Sequence, residues 1–250
     1  MATFVLVHGA MHGGWCWRDV GRWLSSRGHE VIAPTLTGQG DRRQGLTREV
    51  GIATHVTDLT DLLWFADLRD VRLVLHSYSG VLAGPVAERA GERLASVTYL
   101  GAFLARPGES VADVEPPETA ARYRELAAEA GDGWFVPASE GFLDQWGVTG
   151  SGLRELIGPR LTSFPLRCVT EPVRFDPAAL DRIRQVYVMH TQPPLASLQA
   201  SYERAVAAGW ETHELPFSHD LMLAAPAETA ALLESVSHLV SDGDIRPVGI

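Results

Sequence analysis

The side chains best suited to covalent chemistry in this chain are Ser77, near its middle, and His219, near its end. Ser77 lies in VRLVLHSYSG (Val71 to Gly80), where the apolar run Val71, Leu73, Val74 and Leu75 stops and small, helix-compatible residues begin. Such a run reads as a buried parallel strand, and GVLAGPVAERA (Gly80 to Ala90) as the helix after it. A serine at that junction is lifted above the carboxyl edge of the sheet, beside the backbone N–H groups that open the helix. This is the geometry of a nucleophile elbow, which presents a hydroxyl to an acyl carbon. The usual GxSxG spacing is only partly kept, because Leu75 and Ser79 occupy the glycine positions. A serine that merely N-caps a helix is the competing interpretation.

A nucleophilic serine needs a base, and in a parallel sheet the loop after the last strand can carry one. His219, in PFSHDLMLAAP, stands there. The chain has nine histidines, so any one alone is weak evidence, but two independent positional requirements are met together. A tetrahedral intermediate also needs two fixed donors for its oxyanion. The N–H of Tyr78 is one, and the loop His8, Gly9, Ala10 after the first strand offers the N–H of Ala10 as the other.

The elements that would position these groups alternate regularly. Thr3 to Val7 is a strand, and Trp17, Val20, Trp23 and Leu24 space an amphipathic helix that ends near Gly28. His29 to Ala33 is a second strand, followed by a polar, Gly-rich loop from Thr35 to Gly45. Ile52 to Phe65 is helical through Val56, Leu59, Leu63 and Trp64, the elbow follows, and Ser96 to Leu104 is a fourth strand. This order predicts a parallel sheet with right-handed crossovers and a site at the carboxyl ends of its strands. From Ala105 to Arg184 the rhythm breaks into a proline-rich stretch carrying Trp134, Phe135 and Trp146. So long a segment predicts a mostly helical cap with aromatic walls over the strand ends. The core is then residues 1–104 and 185–250, with a strand at Gln185 to Met189, a helix at Leu195 to Ala208, a last strand at Glu211 to Leu215 and a helix from Pro226 to Val240. Ser241 to Ile250 reads as a frayed tail.

All 21 basic residues are arginine, which excludes a Schiff-base lysine and a phosphate-loop lysine. A formal charge of −10 disfavours nucleic acid and anionic membranes. The two cysteines, Cys16 and Cys168, make neither a disulfide framework nor a zinc cluster. The opening residues do not form a secretory signal or a membrane span, which predicts a cytoplasmic protein acting on a small molecule, with no metal or organic cofactor. A homodimer stays open.

Beyond these features, FVLVHGAMHGGWCW resembles the opening of α/β-hydrolases of the plant methylesterase and hydroxynitrile lyase type. Bacterial relatives in that group share a THV helix, an HSYGG elbow, a GES turn and a terminal HD, present here as Thr54 to Val56, His76 to Gly80, Gly108 to Ser110, and His219 with Asp220. The resemblance implies the α/β-hydrolase fold, with a mainly parallel six-stranded sheet flanked by helices and a small helical cap inserted after the fourth strand. It also implies Ser77 as nucleophile, His219 as base, Ala10 and Tyr78 as oxyanion donors and His12 as a polar residue of the oxyanion loop. His12 could equally be a structural histidine bonded to backbone, and His76 reads as packing beside the elbow.

The departure is the triad acid. By register its two usual places fall at Gly101, in YLGAF, and at Thr191 to Pro193, and neither offers a carboxylate. Glu109, Asp220, His190, Gln192 or a bound water are the substitutes within range, and the sequence does not choose among them. The leading expectation is a serine hydrolase for a small, apolar ester, thioester or lactone. A lyase or cyclase working on a secondary-metabolite intermediate without an acyl-enzyme is the alternative, and a hydrophobic-ligand carrier with no turnover is the third.

Overall fold

The computed structural model describes residues 1–237. Strands β1 (Thr3–Val7), β2 (Glu30–Ile32), β3 (Val71–His76) and β4 (Leu94–Leu100) alternate with helices α1 (Arg18–Ser26), α2 (Ile52–Phe65) and α3 (Ala83–Ala90). The segment after β4 holds α4 (Val111–Val114), α5 (Pro117–Ala130), β5 (Phe135–Val136), α6 (Gly141–Gln145), α7 (Ser151–Ile157), β6 (Phe164–Pro165) and α8 (Arg167–Thr170). The chain then returns through β7 (Arg184–His190), α9 (Gln199–Ala207), β8 (Glu211–Leu215), α10 (Leu221–Ala224) and α11 (Pro226–Ser237). Expected residues 238–240 of the last helix, and the tail after them, lie outside the described residues.

The main sheet runs in the order β2, β1, β3, β4, β7, β8, and every neighbouring pair is parallel. Its inner strands are apolar without a break because both faces are covered. Within β1, Phe4 and Leu6 pack with Val20, Leu24 and Leu233 on one face, while Val5 and Val7 pack with Val56, Leu59 and Val86 on the other. That split is the two-residue period of a strand, and it places α1 and α11 on one side and α2 and α3 on the other.

After β2 the chain crosses β1 to build β3 on its far side, so the strand order reverses between β1 and β3. A crevice opens at such a reversal, at the carboxyl ends of the strands, and open α/β sheets bind ligands there. The loop after β1 and the turn after β3 meet at this crevice.

Three boundaries differ from the sequence expectation for local reasons. β4 stops at Leu100 instead of running to Leu104, because Gly101 adopts φ +48° and turns the chain out of the sheet. The helix expected from Gly80 begins as a tight 3₁₀ turn over Ser77–Leu82 before α3. Trp64, expected on the apolar stripe of α2, lies on the outer face with the Arg93 guanidinium 5.0 Å over its ring. The segment between β4 and β7 is mainly helical, and the short antiparallel pair β5 and β6 was not foreseen.

Candidate active site

Ser77 ends β3 with φ +55°, a left-handed backbone that a residue with a Cβ adopts only when its surroundings impose it. The turn is held by Ser79, whose hydroxyl donates to the carbonyl of His76 at 2.8 Å, and by the N–H of Phe103 donating to the carbonyl of Ser77 at 3.0 Å. Ser79 thus does with a hydroxyl what glycine does by absence at that position. The loop after β1 comes close because Gly9 has no side chain: a Cβ there would sit 2.7 Å from Cβ of Ser77.

The imidazole from the far end of the chain arrives at this turn. Nε2 of His219 stands 2.9 Å from Oγ of Ser77, within hydrogen-bond reach of a nucleophile and base. Its backbone is fixed on two sides, by its N–H donating to the carbonyl of Trp146 at 3.1 Å and by Nε2–H of His76 donating to its carbonyl at 3.0 Å. The expectation that His76 packs beside the elbow therefore holds, and its ring lies tilted against that of His219 with centroids 4.6 Å apart.

Ser77, His219, Ala10 and Tyr78 line one mainly apolar cavity. Tyr78 is braced from beneath. Because the Thr37 carbonyl can only accept, His55 donates from Nε2 to it at 2.9 Å and accepts the Tyr78 hydroxyl at Nδ1, also at 2.9 Å. The ring of Phe164 meets Tyr78 edge-on from above at 4.8 Å. His55 belongs to the THV stretch, so that motif acts by holding the residue after the serine. The side of the cavity facing the sheet is built by Val111, Val136, Phe142, Trp146, Phe164 and Val169, all from the segment between β4 and β7.

A sequence model described as "Alpha/beta hydrolase family" matches residues 4–232. The chain belongs to the alpha/beta hydrolase family. It is 30% identical to the carbendazim hydrolyzing esterase of a Nocardioides strain over 94% of this chain and 100% of that one. It is 32% identical to methyl jasmonate esterase 1 of Vitis vinifera over 44% of this chain and 43% of that one. Among solved structures, an extracellular alpha/beta-hydrolase from a Paenibacillus species, described as sharing homology with tobacco salicylic acid binding protein 2, superposes with a TM-score of 0.84 at 20% identity, covering 94% of this chain and 98% of that one. With curated relatives of this kind, the chain is an esterase-type enzyme of the family.

Among the described residues no carboxylate bonds the far nitrogen of His219. A Cβ built on Gly101 would lie 3.4 Å from Nδ1 of His219 and 3.0 Å from Nδ1 of His190. Of the two places expected for the acid, Gly101 thus stands against the far nitrogen of His219 and carries no side chain. Glu109 is elsewhere, accepting from the Arg106 N–H at 2.8 Å and paired with Arg204. Gln192 is exposed on the loop after β7. His190 does stand against His219, with ring centroids 4.8 Å apart.

Asp220 is fully buried, yet it turns away from its neighbour to face His12, with Oδ2 3.5 Å from Nε2. At that distance the contact is charge attraction rather than a short hydrogen bond. His12 also donates from Nδ1 to the Ala10 carbonyl at 2.9 Å and stacks on Trp15 at 5.6 Å. It thus braces the loop that carries Ala10, as a structural histidine. Burial works against its charged form, but the Asp220 carboxylate more than offsets this and raises its pKa. Burial likewise opposes ionisation of Asp220, and His12 first among its neighbours holds it below the usual carboxylate value.

His219 has the opposite environment. Burial, then the neighbouring His76, His190 and His12, hold it well below the ordinary histidine value. Burial also brings His76 and His190 down to about 4 and His8 to about 3. These groups are neutral when folded but protonate near 6.5 when unfolded, so the unfolded chain binds more protons below that pH. Their stabilisation is complete above 6.5 and is lost as the pH falls toward 4, with His12, and Glu115 whose buried carboxyl is raised to about 7, acting in the opposite sense. We expect the urea midpoint to drop steadily from pH 6.5 to 4.5, and a flat midpoint would contradict these assignments.

Among the described residues no group of three or more His, Cys, Asp or Glu side chains is arranged to hold a metal ion, and no helix is long and apolar enough to cross a membrane. Several residues of the cavity wall carried no sequence signal, Glu115 in VEPPE among them: its position between α4 and α5 brings it to the site.

Proposed function

We propose that the chain hydrolyses small, largely apolar esters through an acyl-enzyme on Ser77. Oγ of Ser77 attacks the acyl carbon as Nε2 of His219 takes its proton. The N–H groups of Ala10 and Tyr78 receive the oxyanion, and the intermediate collapses when His219 returns the proton to the departing alcohol. Water then attacks the acyl-enzyme by the same sequence and releases the acid. The observation that carries this reading is the 2.9 Å contact between Ser77 and His219 inside an apolar cavity. The named esterase relatives favour hydrolysis over a lyase or cyclase step.

In this reading no carboxylate balances the imidazolium that forms on His219. Its tautomer and orientation rest on packing between His76 and His190 and on the two backbone bonds, so turnover is slow for a serine hydrolase. Residues 105–184 form the cap, and 1–104 with 185–250 the catalytic core. The cytoplasm is the proposed compartment, supported by two buried, unpaired cysteines.

A fluorophosphonate probe tests the site and its base together. The adduct is expected on the peptide carrying Ser77, and its rate of formation should stay level as the pH falls from 8 through 6.5, declining only at lower values. The sign follows from the base being active when neutral, with burial lowering its pKa. An adduct elsewhere would remove Ser77 from the mechanism. An acid limb at 6.5 or above would show that His219 is not the shielded base described.

A further inference from the structure

Glu115 sits between α4 and α5 with 6% of its surface exposed, and its side chain lines the same cavity as Ser77 and His219. One carboxyl oxygen, Oε1, accepts from the Tyr123 hydroxyl at 3.2 Å. The other, Oε2, is buried and has no hydrogen-bond partner among the described residues. Leaving such an acceptor unsatisfied costs on the order of 1–3 kcal/mol, and buried polar groups without partners call for a functional explanation.

The surroundings do not supply one from within. No arginine lines this cavity, and the chain contains no lysine. The remaining wall near it is apolar or carries neutral polar groups such as Ser197 and Gln145. A carboxyl placed for structural reasons would be expected to hold an arginine, as Glu109 holds Arg204. Burial pushes the Glu115 carboxyl up to about 7, so an arriving donor can draw it into its ionised form near neutral pH.

We propose that Glu115 is the specificity-determining residue of this pocket, and that the substrate is an ester carrying an N–H group, neutral or cationic, that donates to Oε2 of Glu115. The proposal rests on the reading of Ser77 and His219 as the ester-cleaving pair, and it adds the second anchor point. An apolar cavity holds the body of such a substrate while one hydrogen bond sets its direction. A site built around a buried acceptor rejects an analogue that lacks the donor, because the acceptor is then left unpaired.

The test separates recognition from catalysis by measuring binding alone. Indole and indene have nearly the same shape and differ in one N–H, and each is titrated calorimetrically into the full-length protein at pH 8. Wild type is expected to bind indole at least tenfold more tightly than indene, and Glu115→Met, which keeps the volume and removes the acceptor, to bind the two within about threefold. An equal affinity of the wild type for both, or an unchanged preference in Glu115→Met, overturns the proposal. Should thermal melting show Glu115→Met to be unfolded, Glu115→Gln decides instead: a reduced preference supports the assignment and an unchanged one overturns it. Failure of the wild type to hydrolyse p-nitrophenyl acetate would count against the ester-cleaving pair and leave this binding result to stand or fall separately.

Discussion

Ser77→Ala is expected to lower turnover of p-nitrophenyl acetate by about 10²-fold, because in a site that already lacks the triad acid the serine supplies only the remainder of the roughly 10⁶-fold that a complete triad contributes. The substitution deletes one oxygen and leaves the rest of the site in place. The backbone at φ +55° is imposed by Phe103 and Ser79 rather than by the Ser77 hydroxyl, and alanine can occupy it. His219 keeps both of its backbone anchors. The loss therefore reads out the nucleophile alone, and unchanged binding of indole would show that the pocket is intact. A variant within tenfold of the wild type would mean that the ester is cleaved by a route that does not pass through Ser77.

The second large effect runs in the opposite direction. Gly101→Asp combined with His190→Ser is expected to raise kcat at least tenfold, a part of the roughly 10⁴-fold that the acid contributes to a complete triad. The Cβ of residue 101 would stand 3.4 Å from Nδ1 of His219, so a carboxylate on it can reach that nitrogen. His190 must yield, since its Nδ1 would be only 3.0 Å from the same Cβ. The backbone there, φ +48°, belongs to the region that aspartate tolerates better than most residues. The installed charge would favour the imidazolium, so the acid limb of the pH profile should move up from its lowered position as kcat rises. A folded double variant with neither change would show that His219 does not limit the reaction through its missing partner.

Among the described residues His219 has no charge partner, although a buried aspartate and several histidines surround it. The carboxylate exists, but it serves His12 and through it the loop that presents Ala10. The consequence is a base that stays neutral well into acid and stabilises its protonated form poorly. Such a base favours steps in which the proton is passed on quickly over those that need a long-lived imidazolium.

Much of this was legible in the linear chain because each feature is written in local chemistry. Apolar runs of strand length and stripes of helical spacing located β1 and α2 to the residue and β3 to within one, and the abrupt end of the Val71 to Leu75 run marked the turn at Ser77. The family pattern left two places for the acid, Gly101 and Thr191 to Pro193, because register along a strand does not say which side chain meets the histidine. The length of the broken stretch after β4 pointed to a folded, mainly helical segment, though the two-residue pair β5 and β6 is too short to have a period of its own.

What the chain alone could not decide is where side chains point once the backbone is placed. Asp220 follows His219 directly and was one of several substitutes for the acid that the sequence did not choose among; consecutive side chains rarely reach one another's ring, and this one faces His12 from the other end of the chain. Glu115 is the same case in reverse: nothing in VEPPE distinguishes a solvated carboxylate from one held in a cavity, because burial is decided by which distant surfaces close over it. Identity and spacing thus determined the parallel sheet and pointed to the serine and the histidine as candidates. Partnership, burial and the resulting charge states came only with the fold, since they depend on contacts between residues that share no local pattern.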